Sequence, residues 1–180
     1  MSYSAHSWEP SRRGESQDGC YNPIMRKKER EIVDPERLDE LLSSARTVRV
    51  GMAMGNEPYV VPLSFGYDPV QQQLFVHTAK EGRKIDFVEA NPRVCFEVEG
   101  HVAPKEAEEQ GCAWGLAFES IIGYGNMREI TEEEARVAAL RVFMRQQAGR
   151  DAEWTFVPKV LAMTRVWAIE IESMTGKSSI

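Results

Sequence analysis

The chain has 180 residues and a mass of 20.4 kDa; its 42% hydrophobic and 28% charged residues suit one packed domain and exclude disorder throughout. Lys+Arg 22 against Asp+Glu 28 leaves a net charge of −6, which argues against a dedicated nucleic-acid binder but not against a local cationic cluster holding one small anion. No run reaches the roughly 18–20 apolar residues of a membrane span, no apolar secretory signal opens the chain, and Cys20, Cys95 and Cys112 lack CxxC spacing, so the expectation is a cytoplasmic protein with no disulfide framework and no metal.

Residues 1–23 are rich in Ser, Gly, Pro and mixed charge without periodicity, which predicts a flexible tail ahead of a single domain over 24–180. A second reading makes that tail an arm that docks a partner protein. Next comes a basic cluster between Met25 and Ile32. Asp34 then caps a short helix with Pro35 at its first position and Leu38, Leu41 and Leu42 on one face. From Thr47 the period changes to two. TVRVGMAM, EPYVVPLSFGYD and QQLFVHTA are strand-like runs parted by Gly55-Asn56 and Asp68-Pro69, connections too short for anything but antiparallel hairpins. Pro62 inside the second run predicts an edge, a bulge, or a place where a ligand covers the backbone.

EGRKIDFVEANP reads as a helix with Ile85, Phe87 and Val88 inward and Pro92 at its end. RVCFEVEG is a strand, residues 101–114 an acidic loop, and LAFESIIGYGNMREI a strand bent at two glycines. Thr131 with Glu134 predicts a capping box for a helix that turns Ala135, Ala138, Val142 and Phe143 inward. VLAMTRVWAIEIESM closes the sheet. The expected fold is therefore α+β, mainly β: a six-stranded antiparallel barrel with a few flanking helices.

FVHTAKEGRKID carries the chemistry. A strand ends at His77-Thr78, a glycine turn follows, and Arg83-Lys84 open a helix, where the helix dipole already places positive charge. Two cations there are unfavourable unless an anion joins them, and the backbone N–H groups with the Thr78 hydroxyl suit a phosphate. The plainer alternative is a solvated pair near Glu81 and Asp86. Histidine titrates near neutrality, so His77 is either a structural residue or a proton donor. His101 and Cys112 make a poor metal site, and Ser64, His77 and Asp86 lack a nucleophile elbow.

The order of these pieces resembles the pyridoxamine 5′-phosphate oxidase-like superfamily of flavin mononucleotide (FMN)-binding split barrels, and more closely its nitroimidazole-resistance branch. The matching residues are Met25-Arg26-Lys27 through Glu31-Ile32, Pro58 through Leu63, and His77 followed by Lys80 through Asp86. They continue with Asn91-Pro92-Arg93-Val94, Ser120 through Gly125 and Thr175-Gly176-Lys177, and span about residues 24–178. The resemblance implies a homodimer with FMN in grooves at the subunit interface. Arg83 and Lys84 would grip the phosphate with Thr78 assisting, and His77 would lie beside the cofactor. Pro62, Leu63 and Ser64 would line the flavin ring, with Arg49, Val50 and Gly51 in contact from the first strand and Trp167 and Lys177 completing the site.

The activity so implied is that of an FMN-dependent oxidoreductase passing electrons to a small nitroaromatic or quinone-like acceptor, with NAD(P)H as a candidate donor. No GxGxxG nicotinamide fingerprint is present. The C-terminal Arg- and His-bearing segment of the true vitamin B6 enzymes is not found, so pyridoxamine phosphate is not the expected substrate. The alternative is a non-catalytic flavin- or haem-binding protein on the same barrel, with His77 as an axial haem ligand.

Overall fold

A computed structural model describes residues 25–180; the expected tail lies outside the described residues. In chain order the elements are β1 (Glu31–Ile32), α1 (Pro35–Ser44), β2 (Thr47–Met54), β3 (Glu57–Ser64), β4 (Gly66–Asp68) and β5 (Gln73–Thr78). There follow α2 (Arg83–Ala90), β6 (Arg93–Lys105), β7 (Gly115–Ile130), α3 (Glu133–Ala148), α4 (Pro158–Ala162) and β8 (Arg165–Ser178). The strands form one antiparallel sheet in the order β3-β2-β6-β7-β8-β5-β4, with β1 added to β8. Among the described residues no helix is long and apolar enough to cross a membrane.

The α+β, mainly β class stands, but as an open eight-stranded sheet and not a six-stranded barrel. Glu31–Ile32 pairs with Lys177 and Gly176 as an extra short strand. The run EPYVVPLSFGYD, whose alternation looks continuous, breaks at Phe65 into β3 and β4, which lie at opposite ends of the sheet. The two ends are thus joined by covalent chain and not by a ladder.

Alternation fills the interior. Val48, Val50 and Met52 of β2, Val94, Phe96 and Val98 of β6, and Trp167 and Ile169 of β8 are all buried. Leu38, Leu41 and Leu42 of α1 join this core, as do Ile85, Phe87 and Val88 of α2, as their spacing predicts. Each large side chain removed from water contributes roughly 1.5–3 kcal/mol. Asp34 accepts a 3.0 Å hydrogen bond from the Glu36 N–H and so caps α1. A second cluster of Phe75, Leu140, Leu161, Val166 and others lies on the outer side of β5 and β8, beneath α3 and α4.

Several local expectations are corrected. Helix α3 is N-capped by Glu132 with no side-chain bond, so the Thr131–Glu134 box does not form. Ala135 and Ala138 are exposed; Ala139, Leu140 and Phe143 are the buried face, because the bulky side chains decide which stripe docks. Residues 101–105 extend β6 past a bulge and pair with β7 through Val102↔Phe118 and Ala103↔Ala117, leaving a loop only at 106–114. Strand β7 runs unbroken through its glycines, with a register shift against β8 between Tyr124 and Gly125. Pro158 opens α4, so β8 begins only at Arg165.

Helix α3 is held against the break between β3 and β4. Gln146 accepts from the Tyr67 N–H and donates to the carbonyls of Leu42 and Ala45, while Gln147 donates to the carbonyls of Phe65 and Arg46. Gly66 permits the approach: a Cβ there would lie 2.4 Å from the Phe143 Cα and 2.6 Å from its N.

Candidate functional site

The break at Phe65 creates the site. The β4–β5 ladder ends at Gly66↔Phe75; continued two residues further, its register would set Ser64 opposite His77. Instead β3 pairs only with β2 among the described residues, and the His77–Thr78 end of β5 pairs only with β8. The two strand edges therefore part where Pro62–Ser64 and His77–Thr78 would meet, leaving main-chain donors and acceptors unpaired on both sides of the split. Pro62 sits on an edge strand, one of the places its missing N–H predicts.

Five residues after Thr78, α2 begins. Its N-cap is Gly82 at φ 133°, which favours glycine, and no side chain caps the helix. A Cβ on Gly82 would have nothing within 4 Å, so the helix mouth faces open space. The first-turn N–H groups of Arg83 and Lys84 precede the first helical hydrogen bond, which runs from the Ile85 N–H to the Gly82 carbonyl at 2.7 Å.

The two cations diverge. Arg83 lies over the rings of Tyr59 (5.0 Å) and Phe87 (5.5 Å) and pairs with Glu57 at 2.8 Å, a partner on β3 and not the nearby Glu81 or Asp86. That carboxylate relieves part of the repulsion that the sequence leaves uncompensated. The Arg83 side chain is nevertheless 58% exposed and the Glu57 side chain 60%, so their bond contributes at most about 1 kcal/mol and is readily exchanged. Lys84 is half-buried and acts electrostatically on His77.

His77 points outward from β5, edge-on to Phe143 with ring centroids 4.7 Å apart. Partial burial, reinforced by Lys84, holds its pKa below the ordinary 6.5. A histidine whose folded pKa is depressed leaves stability intact above about pH 6.5; that stability falls as the pH drops from there through the folded value. An NMR titration of His77 is expected to give a midpoint below 6.5, and Lys84→Gln is expected to raise it. An unchanged midpoint in that variant would remove the proximity argued here.

Thr78 is buried. Its hydroxyl donates to the Ala79 carbonyl (2.8 Å) and accepts from the Trp167 indole N–H (3.0 Å). With its one proton engaged, it shapes the turn and has no donor left for a phosphate. Trp167 is likewise buried, with Arg165 over its ring at 4.5 Å. Its place is behind the site, anchoring Thr78.

Of the remaining expected residues, Arg49 lies opposite Pro62 on the outer face and is bound by Glu97 and Glu99 at 2.9 and 2.8 Å. Val50 is fully buried and points into the core, so its side chain cannot line an outer groove; Gly51 lies on the outer face beside Val60. Lys177 sits over Phe118, 12 residues along β8 from Arg165, a strand contour of roughly 40 Å. Glu57 and Tyr59 are site residues that sequence reasoning misses, because no local signal marks a pairing 26 positions apart.

A family model described as pyridoxamine 5′-phosphate oxidase matches residues 34–178. No protein of curated function matches the chain. Among solved structures, a candidate 5-nitroimidazole antibiotic resistance protein from Bacteroides thetaiotaomicron is similar at 27% identity and TM-score 0.71, over 82% of this chain and 85% of that one. A flavocytochrome from Azotobacter vinelandii is similar at 19% identity and TM-score 0.73, over 87% and 72%. An FAD- and haem-binding protein from Mycobacterium smegmatis is similar at 21% identity and TM-score 0.72, over 83% and 73%. At those identities the last two establish the fold alone.

Proposed function

The chain belongs to the pyridoxamine 5′-phosphate oxidase family, and from that premise we propose that it is an FMN-dependent oxidoreductase that reduces a small nitroaromatic or quinone-like acceptor. One observation carries the reading: two unpaired strand edges part beside an uncapped helix start that bears two cations. A phosphate there takes up the first-turn N–H groups and both side chains. The ring edge needs fixed donors and acceptors, and the open backbone of Pro62–Ser64 offers them. FMN, when bound, would supply two-electron redox chemistry between a reduced nicotinamide or another donor and the acceptor.

The protein's own residues do the rest. Arg83, whose present partner is Glu57, and Lys84 would hold the phosphate. Trp167 and Thr78 keep the end of β5 in place. His77, whose pKa partial burial and Lys84 lower, would offer a ring N–H toward an acceptor. The reading includes a homodimer, supported by Val60 (64% exposed) and Ile122 (44% exposed) on the outer face of the sheet. A second copy would also let Lys177 approach the split.

An absorption spectrum tests the proposal. Protein purified from cells, or incubated with FMN and desalted, is expected to be yellow with a band at about 450 nm that NAD(P)H or dithionite bleaches. Protein that stays colourless after incubation overturns it. The second reading is a flavin or haem carrier without turnover, favoured by the His77 imidazole standing at an apolar cavity. A Soret band, or flavin that no nicotinamide reduces, would decide for it.

A further inference from the structure

Behind His77, on the outer side of β5, lies a cavity of about 310 Å³ between α3 and α4. Its walls follow from sequence spacing. Leu140, Phe143 and Met144 recur at i, i+3 and i+4 on one face of α3, and Phe156, Val160 and Leu161 come from α4 and the segment before it. Leu140, Phe143 and Leu161 form a buried floor, while Val160 stands 62% exposed at the rim. Among the lining residues, His77 is the one titratable group. Of the two lining hydroxyls, Thr164 already donates to the Val160 carbonyl at 2.9 Å.

Two larger cavities among the described residues differ in kind. One, about 450 Å³, is bordered by Asp68, Arg128, Glu132 and Glu170; the other, about 650 Å³, by Arg46, Arg145, Arg150 and Asp151. The cations of the last sit at the C-terminal ends of α1 and α3, where the helix dipoles already account for them. Of these three, the His77 cavity combines a mainly apolar wall with one titratable side chain and two threonine hydroxyls, the composition of a small-molecule pocket. Its volume is at the lower end of the usual range of about 300–1,000 Å³, which suits one or two fused rings and excludes a dinucleotide.

We infer that this cavity binds a small uncharged ring compound, oriented by the His77 imidazole, and rejects phosphorylated or carboxylated analogues. No Lys or Arg lines the cavity to pair with an anion, and an unpaired charge brought against such apolar walls is penalised. The phosphorylated compound in the family's name therefore does not suit this cavity, for a reason independent of any missing C-terminal segment. As the acceptor site beside a flavin, the cavity rests on the function proposed above; as a binding site it does not. His77 joins the two, since its backbone borders the split and its ring lines the cavity.

The experiment is a titration of the protein with nitrobenzene and with 4-nitrobenzoate, followed by the imidazole proton resonances of its three histidines, with His77 assigned by His77→Gln. Nitrobenzene is expected to shift the His77 resonance saturably, and 4-nitrobenzoate to bind about tenfold more weakly or worse. Val160→Trp, which fills the rim from an exposed position, should abolish the response and leave FMN binding unchanged; Met144→Trp should do the same from the facing wall. The double substitution Arg83→Glu, Lys84→Glu should keep the nitrobenzene response while losing FMN, so the cavity and the flavin reading fail separately. A His77 resonance unmoved by nitrobenzene, equal affinity for the carboxylate, or an undiminished response in both tryptophan variants would overturn the inference.

Discussion

Replacing Arg83 and Lys84 together with glutamate is expected to weaken FMN binding by about a hundredfold or more, equivalent to ~3 kcal/mol, while leaving the fold intact. Charge-assisted hydrogen bonds to a phosphate contribute about 1.5–3 kcal/mol each, and the reversal adds repulsion to their loss. The fold should survive because Arg83 is mostly exposed and its bond to Glu57 is a surface pair. Quenching of flavin fluorescence measures the affinity, and circular dichroism with a thermal melt checks the fold. Glu57→Gln provides the opposite sign. Released from its carboxylate, Arg83 should hold the phosphate about two- to fivefold more tightly, an advantage that shrinks with added salt. Wild-type affinity in the double variant would place the anchor elsewhere.

The second large effect concerns the break that makes the split. Gly66→Ala puts a methyl group 2.4 Å from the Cα of Phe143, against helix backbone that cannot turn aside. Either α3 lifts from β4 or the strand shifts, and both disturb the Gln146 and Gln147 hydrogen bonds that tie α3 to Tyr67, Phe65 and the end of α1. The expected cost is about 3 kcal/mol, at the upper end of overpacking effects. For a chain of this size that lowers the melting temperature by roughly 6–12 °C. Gly111→Ala, with nothing within 4 Å of the added carbon, is the control and should leave the melt nearly unchanged. Equal melting temperatures for the two variants would mean that α3 is not clamped at this point.

Local chemistry was legible in the chain. Asp34-Pro35 with leucines at 38, 41 and 42 gave α1 its cap and its face. The apolar triplet Ile85, Phe87 and Val88 likewise gave α2 its buried side. His77-Thr78 at a strand end, followed by Gly82-Arg83-Lys84, located the candidate anchor. What the sequence hid is set by distance along the chain. The division of EPYVVPLSFGYD at Phe65 is invisible to alternation, because both halves are strands and only their places at opposite ends of the sheet separate them. The Glu57–Arg83 pair depends on which strand α2 packs against. The engagement of the Thr78 hydroxyl by Trp167 was hidden for the same reason: it comes from 89 positions away. Lys177 lies over Phe118, a contact that no local signal in the sequence marks.

The most direct measurement compares the affinities of the wild-type protein for FMN and for riboflavin, which carries the same ring without the phosphate. If the start of α2 anchors the phosphate, FMN should bind about a hundredfold more tightly or better, with the gap narrowing as salt rises. Equal affinities, or a difference indifferent to salt, would contradict the assignment of Arg83, Lys84 and the uncapped helix to the cofactor.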